Sequence, residues 1–75
     1  MAWMYEADMR RAALGAGEVK RHPNCRQVIL IDGAAWHWDG GVSCWRDGFG
    51  AFDGMTMIGD WVSARTRAER LAAIQ

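Results

Sequence analysis

DGAAWHWDGGVSCWRDGFGAFDG, residues 32–54, carries Asp-Gly at 32–33, 39–40, 47–48 and 53–54, with Trp36, Trp38 and Trp45 between the first three pairs. Asp-Gly flanked by alternating or apolar runs is the strongest short-range hairpin signal. A type I′ turn needs positive φ at both central residues, which Gly adopts without cost and Asp tolerates better than most. The stretch therefore reads as an antiparallel meander whose bends are the Asp-Gly pairs. Just upstream, QVILI at 27–31 is an apolar run suited to a central strand. The alternative is one long strand over 27–38 with a bulge at Gly33.

Working outward, residues 3 to about 14 read as a helix. Trp3, Ala7 and Leu14 lie near one stripe, Glu6 and Arg10 have i,i+4 spacing, and Gly15 or Gly17 supplies the stop. Residues 18–26, EVKRHPNCR, read as a connecting loop, because Pro23 disfavours helix at His22. GFGAFDG at 48–54 is a wider connection whose Phe49 and Phe52 lid the core. MTMIGDWV at 55–62 reads as a final strand with Met55 and Met57 on one side. Thr66-Arg-Ala-Glu69 has capping-box spacing and opens a short C-terminal helix with Leu71 and Ile74 on its apolar stripe. The expected fold is α+β and one domain over 1–75: an N-terminal helix, a three- to four-stranded antiparallel β-meander, and a short C-terminal helix.

With two-residue loops at both tight turns, strand parity assigns the faces. Ile29, Ile31, Trp36, Trp38 and Trp45 share one face, and Val28, Leu30, Ala35, His37, Val42 and Cys44 share the other. The tryptophan face is the expected floor for the helices. The second face is also mostly apolar, and two short helices do not cover both sides of a sheet. A homodimer or a partner protein is the expected cover.

The chain of 75 residues has nine basic and nine acidic side chains, unevenly placed. Residues 1–26 hold five basic and three acidic groups, 27–62 hold Arg46 against five aspartates, and 63–75 hold three arginines against Glu69. That balance lacks the basic excess of a nucleic-acid binder. The alternative function is a small phage or host regulator that binds nucleic acid through the basic segment 10–26. No apolar run approaches the roughly 18 residues of a membrane span, and the N-terminus has acids where a secretory signal has a basic region. The expected location is the cytoplasm, with Cys25 and Cys44 as free thiols.

Among chemical signatures, His22, Cys25, His37 and Cys44 are four zinc-ligand types. His22 and Cys25 have knuckle spacing, but six residues between His37 and Cys44 do not form a second tight pair, and free thiols and imidazoles are favoured. Cys44 with His37, or Ser43 or Ser63 with an aspartate, stands in no nucleophile-elbow context, so no enzyme activity is expected. The glycines form no phosphate-binding or dinucleotide fingerprint, and the aspartates lack the alternate spacing of a calcium loop. No cofactor is expected.

Turns lie at strand ends, so Asp32, Asp47 and Asp53 are expected on one rim, with Asp39 at the opposite end. An acidic rim beside aromatics suits docking on a basic protein surface. The expected partner-binding residues are Asp39, Arg46, Asp47, Phe49, Phe52 and Asp53. A short α+β domain with AWHWDGGVSCW, FGAFDG and TRAERLAAI in this order resembles the small anti-CRISPR inhibitors made by phages and mobile elements. The resemblance is of size, layout and composition. It implies a mode of action, stoichiometric binding to a CRISPR effector that blocks nucleic-acid recognition or nuclease recruitment, and transfers no residue roles.

Overall fold

The computed structural model describes residues 3–52 and 60–74. In chain order the elements are β1 (Trp3–Met4), α1 (Glu6–Gly15), β2 (Val19–His22), β3 (Cys25–Ile31), β4 (Ala34–Asp39), β5 (Cys44–Asp47), a 3₁₀ turn (Gly50–Phe52), β6 (Val62–Ser63) and α2 (Arg67–Ile74). The strands form one antiparallel sheet in the order β1-β5-β4-β3-β2-β6. The class is α+β as expected, but among the described residues the sheet has six strands and not three or four. A four-stranded meander, β2 to β5, is flanked on each side by a two-residue strand.

The Asp32-Gly33 hairpin forms as the sequence requires. Ile31 pairs with Ala34, and the two residues between them have φ of 49° and 82°, the paired positive values of a type I′ turn. This excludes the bulged single strand. Asp32 also fastens the start of β2: its Oδ1 accepts from the Glu18 amide at 2.8 Å, and its own amide donates to the Glu18 carbonyl at 2.8 Å. The second bend is longer than expected. Asp39 pairs with Cys44 across the four residues Gly40 to Ser43, so Val42 lies in the loop and not on the sheet. Asp39 Oδ1 accepts from the Gly41 amide at 3.0 Å, an Asx turn. Four is even like two, so Trp45 keeps its face although the register shifts to set Trp38 opposite it; the first hairpin sets Ile29 opposite Trp36.

Two other expectations are corrected. Trp3 and Met4 are strand and not helix, pairing with Arg46 and Trp45 respectively. Alternation then sends Met4 to the core side and Trp3 to the opposite face. Residues 18–26 are not a plain loop. They hold β2 and the start of β3, joined by a turn at Pro23-Asn24, with a register shift between Arg21 and His22. Pro23 blocks helix but suits a turn. Met55 and Met57 lie outside the described residues, and β6 begins only at Val62.

The helices lie on the tryptophan face. Met9 and Ala13 of α1 and Ala73 and Ile74 of α2 close a core with Val19, Ile29, Ile31, Trp45 and Ala64, and Trp36 and Trp38 are half-buried against it. Trp45 is 1% exposed and meets Trp38 edge to face with centroids 5.7 Å apart. The capping box is present: the Glu69 amide donates to Thr66 Oγ1 at 3.1 Å, and Glu69 Oε1 accepts from the Thr66 amide at 2.9 Å and the Arg65 amide at 3.1 Å. Those hydrogen bonds, the Thr66 amide first, together with the charge of Arg21, hold the Glu69 carboxyl below its ordinary range. Helix α1 ends without a left-handed residue, since Ala16 is extended at φ −74°. Its last carbonyls are taken instead by Arg70 of α2, whose Nη1 donates to Ala13 and Ala16 and whose Nε donates to Ala64.

The second face is covered within the chain at its His37 end. Gly48 leaves β5 with φ 84° and donates from its amide to the Ala35 carbonyl at 2.8 Å. The Gly48 carbonyl accepts from His37 Nδ1 at 2.9 Å. Gly50 then sits against the His37 ring so closely that a Cβ there would lie 2.7 Å from Nε2. Phe49 stacks on Trp61 with centroids 5.9 Å apart, and Trp61 meets His22 edge to face at 5.3 Å. Val28 and Cys44 on this side are 1% and 0% exposed. Residues 48–50 and Trp61 thus supply cover for this end of the second face from the same chain.

Candidate docking surface

On the outer side of the β1 margin the sheet carries an aromatic and charged cluster. Trp3 and Arg46 are direct cross-strand partners, and the Arg46 guanidinium carbon stands 4.5 Å from the centroid of the Trp3 ring, a cation–π contact. From the other side, Arg46 Nη1 donates to Asp39 Oδ2 at 3.1 Å. Asp39 therefore does two jobs: one carboxylate oxygen shapes the Gly40 to Ser43 loop, the other holds Arg46 at the Trp3 ring. Both side chains of that ion pair are roughly three-quarters covered, at 27% and 29% exposure. Arg46 Nε is buried with no hydrogen-bond partner among the described residues, so its orientation is set by the stack and the carboxylate.

Trp3 is nonetheless 50% exposed and Tyr5 64% exposed. The antiparallel register runs Tyr5 toward the Gly40 to Ser43 loop, where Val42 is 42% exposed. Trp3, Tyr5 and Val42 thus make an apolar strip along one sheet margin, with the Arg46–Asp39 pair beside it. The strip is notable in a domain this small, where each large apolar side chain is needed inside.

The six residues expected to bind a partner fall into separate places. Asp39 and Arg46 are joined in the cluster. Asp47 is exposed at the far end of β5, across from Trp36 and close to the Asp32-Gly33 turn. Topology thus puts Asp32 and Asp47 on one rim and Asp39 at the opposite end. The Asp47 carboxylate makes no hydrogen bond or ion pair among the described residues, unlike those of Asp32 and Asp39. Phe49 and Phe52 are half-buried; the Phe52 amide donates to the Phe49 carbonyl at 3.0 Å and closes the 3₁₀ turn. Asp53 lies outside the described residues.

Sequence reasoning missed Trp3 and Tyr5, which it had given to a helix stripe or left unassigned. The signal was W-M-Y at 3–5, polar-faced aromatics on either side of an inward Met, which is strand alternation over a span too short to show a period. Of the metal-ligand types, His22 and Cys25 are ladder partners, while His37 pairs with Arg46 and Cys44 with Asp39. Among the described residues no three His, Cys, Asp or Glu side chains gather as ligands. No described helix is long and apolar enough to cross a membrane.

Comparison with known proteins gives no match: no family model, no curated protein and no solved structure aligns with the chain.

Proposed function

We propose that the chain acts by binding another protein, with no chemistry of its own, through Trp3, Tyr5 and Val42 together with Arg46 and Asp39. The observation that carries this is a half-exposed Trp3 held under Arg46 at 4.5 Å. Trp, Tyr and Arg dominate the residues whose truncation costs most at protein interfaces. Fixing Arg46 between a ring and a carboxylate before binding lowers the ordering cost that association must otherwise meet. Asp47, with its carboxylate unengaged by the described residues, adds charge that steers a basic partner.

The partner class we propose is a CRISPR effector, with the chain as its stoichiometric inhibitor. Support comes from the resemblance in size, layout and composition to anti-CRISPR proteins, and from a surface built for contact.

The test is titration of the purified chain against a panel of CRISPR effector complexes, reading target-DNA binding and cleavage. At least one complex should be inhibited at equimolar chain, and Trp3→Ala should weaken that inhibition more than tenfold, the factor that corresponds to about 1.4 kcal/mol. The pair Asp47→Ala with Asp53→Ala should slow association and leave the melting temperature nearly unchanged. Inhibition of none of the complexes would remove the proposed partner class. Inhibition that survives Trp3→Ala and Arg46→Ala would move the docking surface elsewhere.

A further inference from the structure

Arginines far apart in the sequence line two hollows on opposite flanks of α2. On one flank Arg10 and Arg11 of α1 and Arg67 of α2 border a hollow of about 400 Å³, with Leu14 and Leu71 in its wall. On the other, Arg21 and Arg26 of the β2–β3 hairpin border one of about 350 Å³, with Glu69 and Ala72 of α2. Between the hollows α2 exposes Ala68 and Ala72, one helical turn apart. Five arginines from 1–26 and 63–75 are thereby gathered on the helix-bearing side, beside Glu6, Asp8 and Glu69, while Asp32, Asp39 and Asp47 stay with the meander's turns.

These arginines are not committed to strong internal pairs. Arg10 and Arg11 contact Glu6 and Asp8 at 3.6 and 3.2 Å in exposed pairs within one helix, which a phosphate can displace. Arg26 and Arg67 make no ion pair among the described residues. Glu69, which borders the same hollow as Arg21, has its carboxylate engaged by the Arg65 and Thr66 amides and feels the Arg21 charge from an exposed position.

We propose that α2 enters the major groove of duplex DNA, with the arginines on its two flanks contacting the phosphate rows of the groove walls. A helix with its side chains is about 10–12 Å across, and the major groove of B-DNA is about 12 Å wide and admits one helix. A ridge bounded by guanidinium groups on both sides matches a groove bounded by phosphates on both sides. Arginine forks fit phosphate oxygens in pairs. Ala68 and Ala72 permit close approach to base edges and offer contact to thymine methyls, but no hydrogen-bond readout, so affinity should depend little on sequence. This surface is separate from the Trp3 cluster and does not depend on the docking proposal.

The test is fluorescence anisotropy with a labelled random-sequence duplex of about 20 base pairs across a salt series. Five phosphate contacts predict a log–log salt slope of about −4.5, a fall of about 500-fold in affinity between about 50 and 200 mM salt. Replacing Arg10, Arg11 and Arg67 by Gln should flatten the slope to about −1.8, and Arg21→Gln with Arg26→Gln to about −2.7. Melting temperatures of both variants, followed in parallel, separate loss of binding from loss of fold. Trp3→Ala should bind DNA like the parent. The proposal is overturned by no binding at low salt, by a slope unchanged in both variants, by tighter binding to a single strand of equal length, or by equal capture of a polyglutamate peptide, which would make this an acidic-protein surface.

Discussion

Arg70 Nη1 donates to the Ala16 carbonyl at 2.7 Å across 54 residues of sequence, and to the Ala13 carbonyl at 2.9 Å. A helix that ends on Gly commonly closes with a left-handed residue that satisfies its last carbonyls. Here Gly15 is followed by extended Ala16, and a guanidinium from α2 takes that role, its charge also favourable at the negative end of the α1 dipole. Arg70→Met should destabilise the fold by about 2–4 kcal/mol, since it strands partly buried carbonyls and removes charged hydrogen bonds. In a domain of this size that is a fall of roughly 10–25 °C in melting temperature. Arg70→Lys should recover less than half, because one ammonium cannot span three carbonyls. Thermal unfolding followed by tryptophan fluorescence reads both.

Trp45 is the largest fully buried side chain, and its Nε1 has no hydrogen-bond partner among the described residues. Trp45→Ala should cost about 3–5 kcal/mol. Trp45→Phe should cost less than half of that, since it keeps most of the ring and deletes an N–H buried without an acceptor. Urea midpoints for the two variants distinguish packing from hydrogen bonding at this position.

Glu69 supplies a pH signature. Its carboxyl is held below the ordinary range by the Thr66 and Arg65 amides and by Arg21, so its ionised form favours the folded state. A depressed folded-state value contributes stability above the unfolded value, about 4.3, and that contribution is lost as pH falls through the folded-state value. Glu69→Gln should therefore be less stable than the parent at neutral pH, and the two should converge in acid. Melting temperatures taken from neutral pH down to about pH 3 check the sign; a gap that widens in acid would contradict it.

Gly33 and Gly50 both have positive φ, at 82° and 57°, but only Gly50 has a neighbour in the way. Gly33→Ala should cost roughly 1–2 kcal/mol for the left-handed backbone alone. Gly50→Ala adds a collision with the His37 ring, typically another 1–3 kcal/mol, and should shift the residues that cover the second face. A larger stability loss for Gly50→Ala, accompanied by a changed Trp61 environment in fluorescence, is the expected pattern.

The features legible in sequence were those fixed by local chemistry. Asp32-Gly33 needs only its own backbone to make a type I′ turn, Thr66 and Glu69 cap each other, and the even loop lengths put Trp36, Trp38 and Trp45 on one face. What was not legible depends on partners distant in sequence. Trp3 and Met4 are strand only because β5 is there to pair with them, and two residues show no period. Lys20 and Arg21 interrupt the apolar alternation of β2, whose pairing with β3 and β6 makes it a strand regardless. The Arg46 site was half legible: Arg46 and Asp39 were named, but the Trp3 ring that completes the cluster comes from the other end of the chain.

The order β1-β5-β4-β3-β2-β6 buries Val28-Ile-Leu-Ile31 in a middle strand, two ladders in from one side and three from the other. That tetrapeptide, with its neighbours, is the segment of this chain best suited to stack into a fibril spine. The strands at either border are two residues long, too short to template an incoming chain. Placement in the sheet therefore shields this segment from fibril growth, and partial loss of β2 or β6 would be the first step toward exposing it.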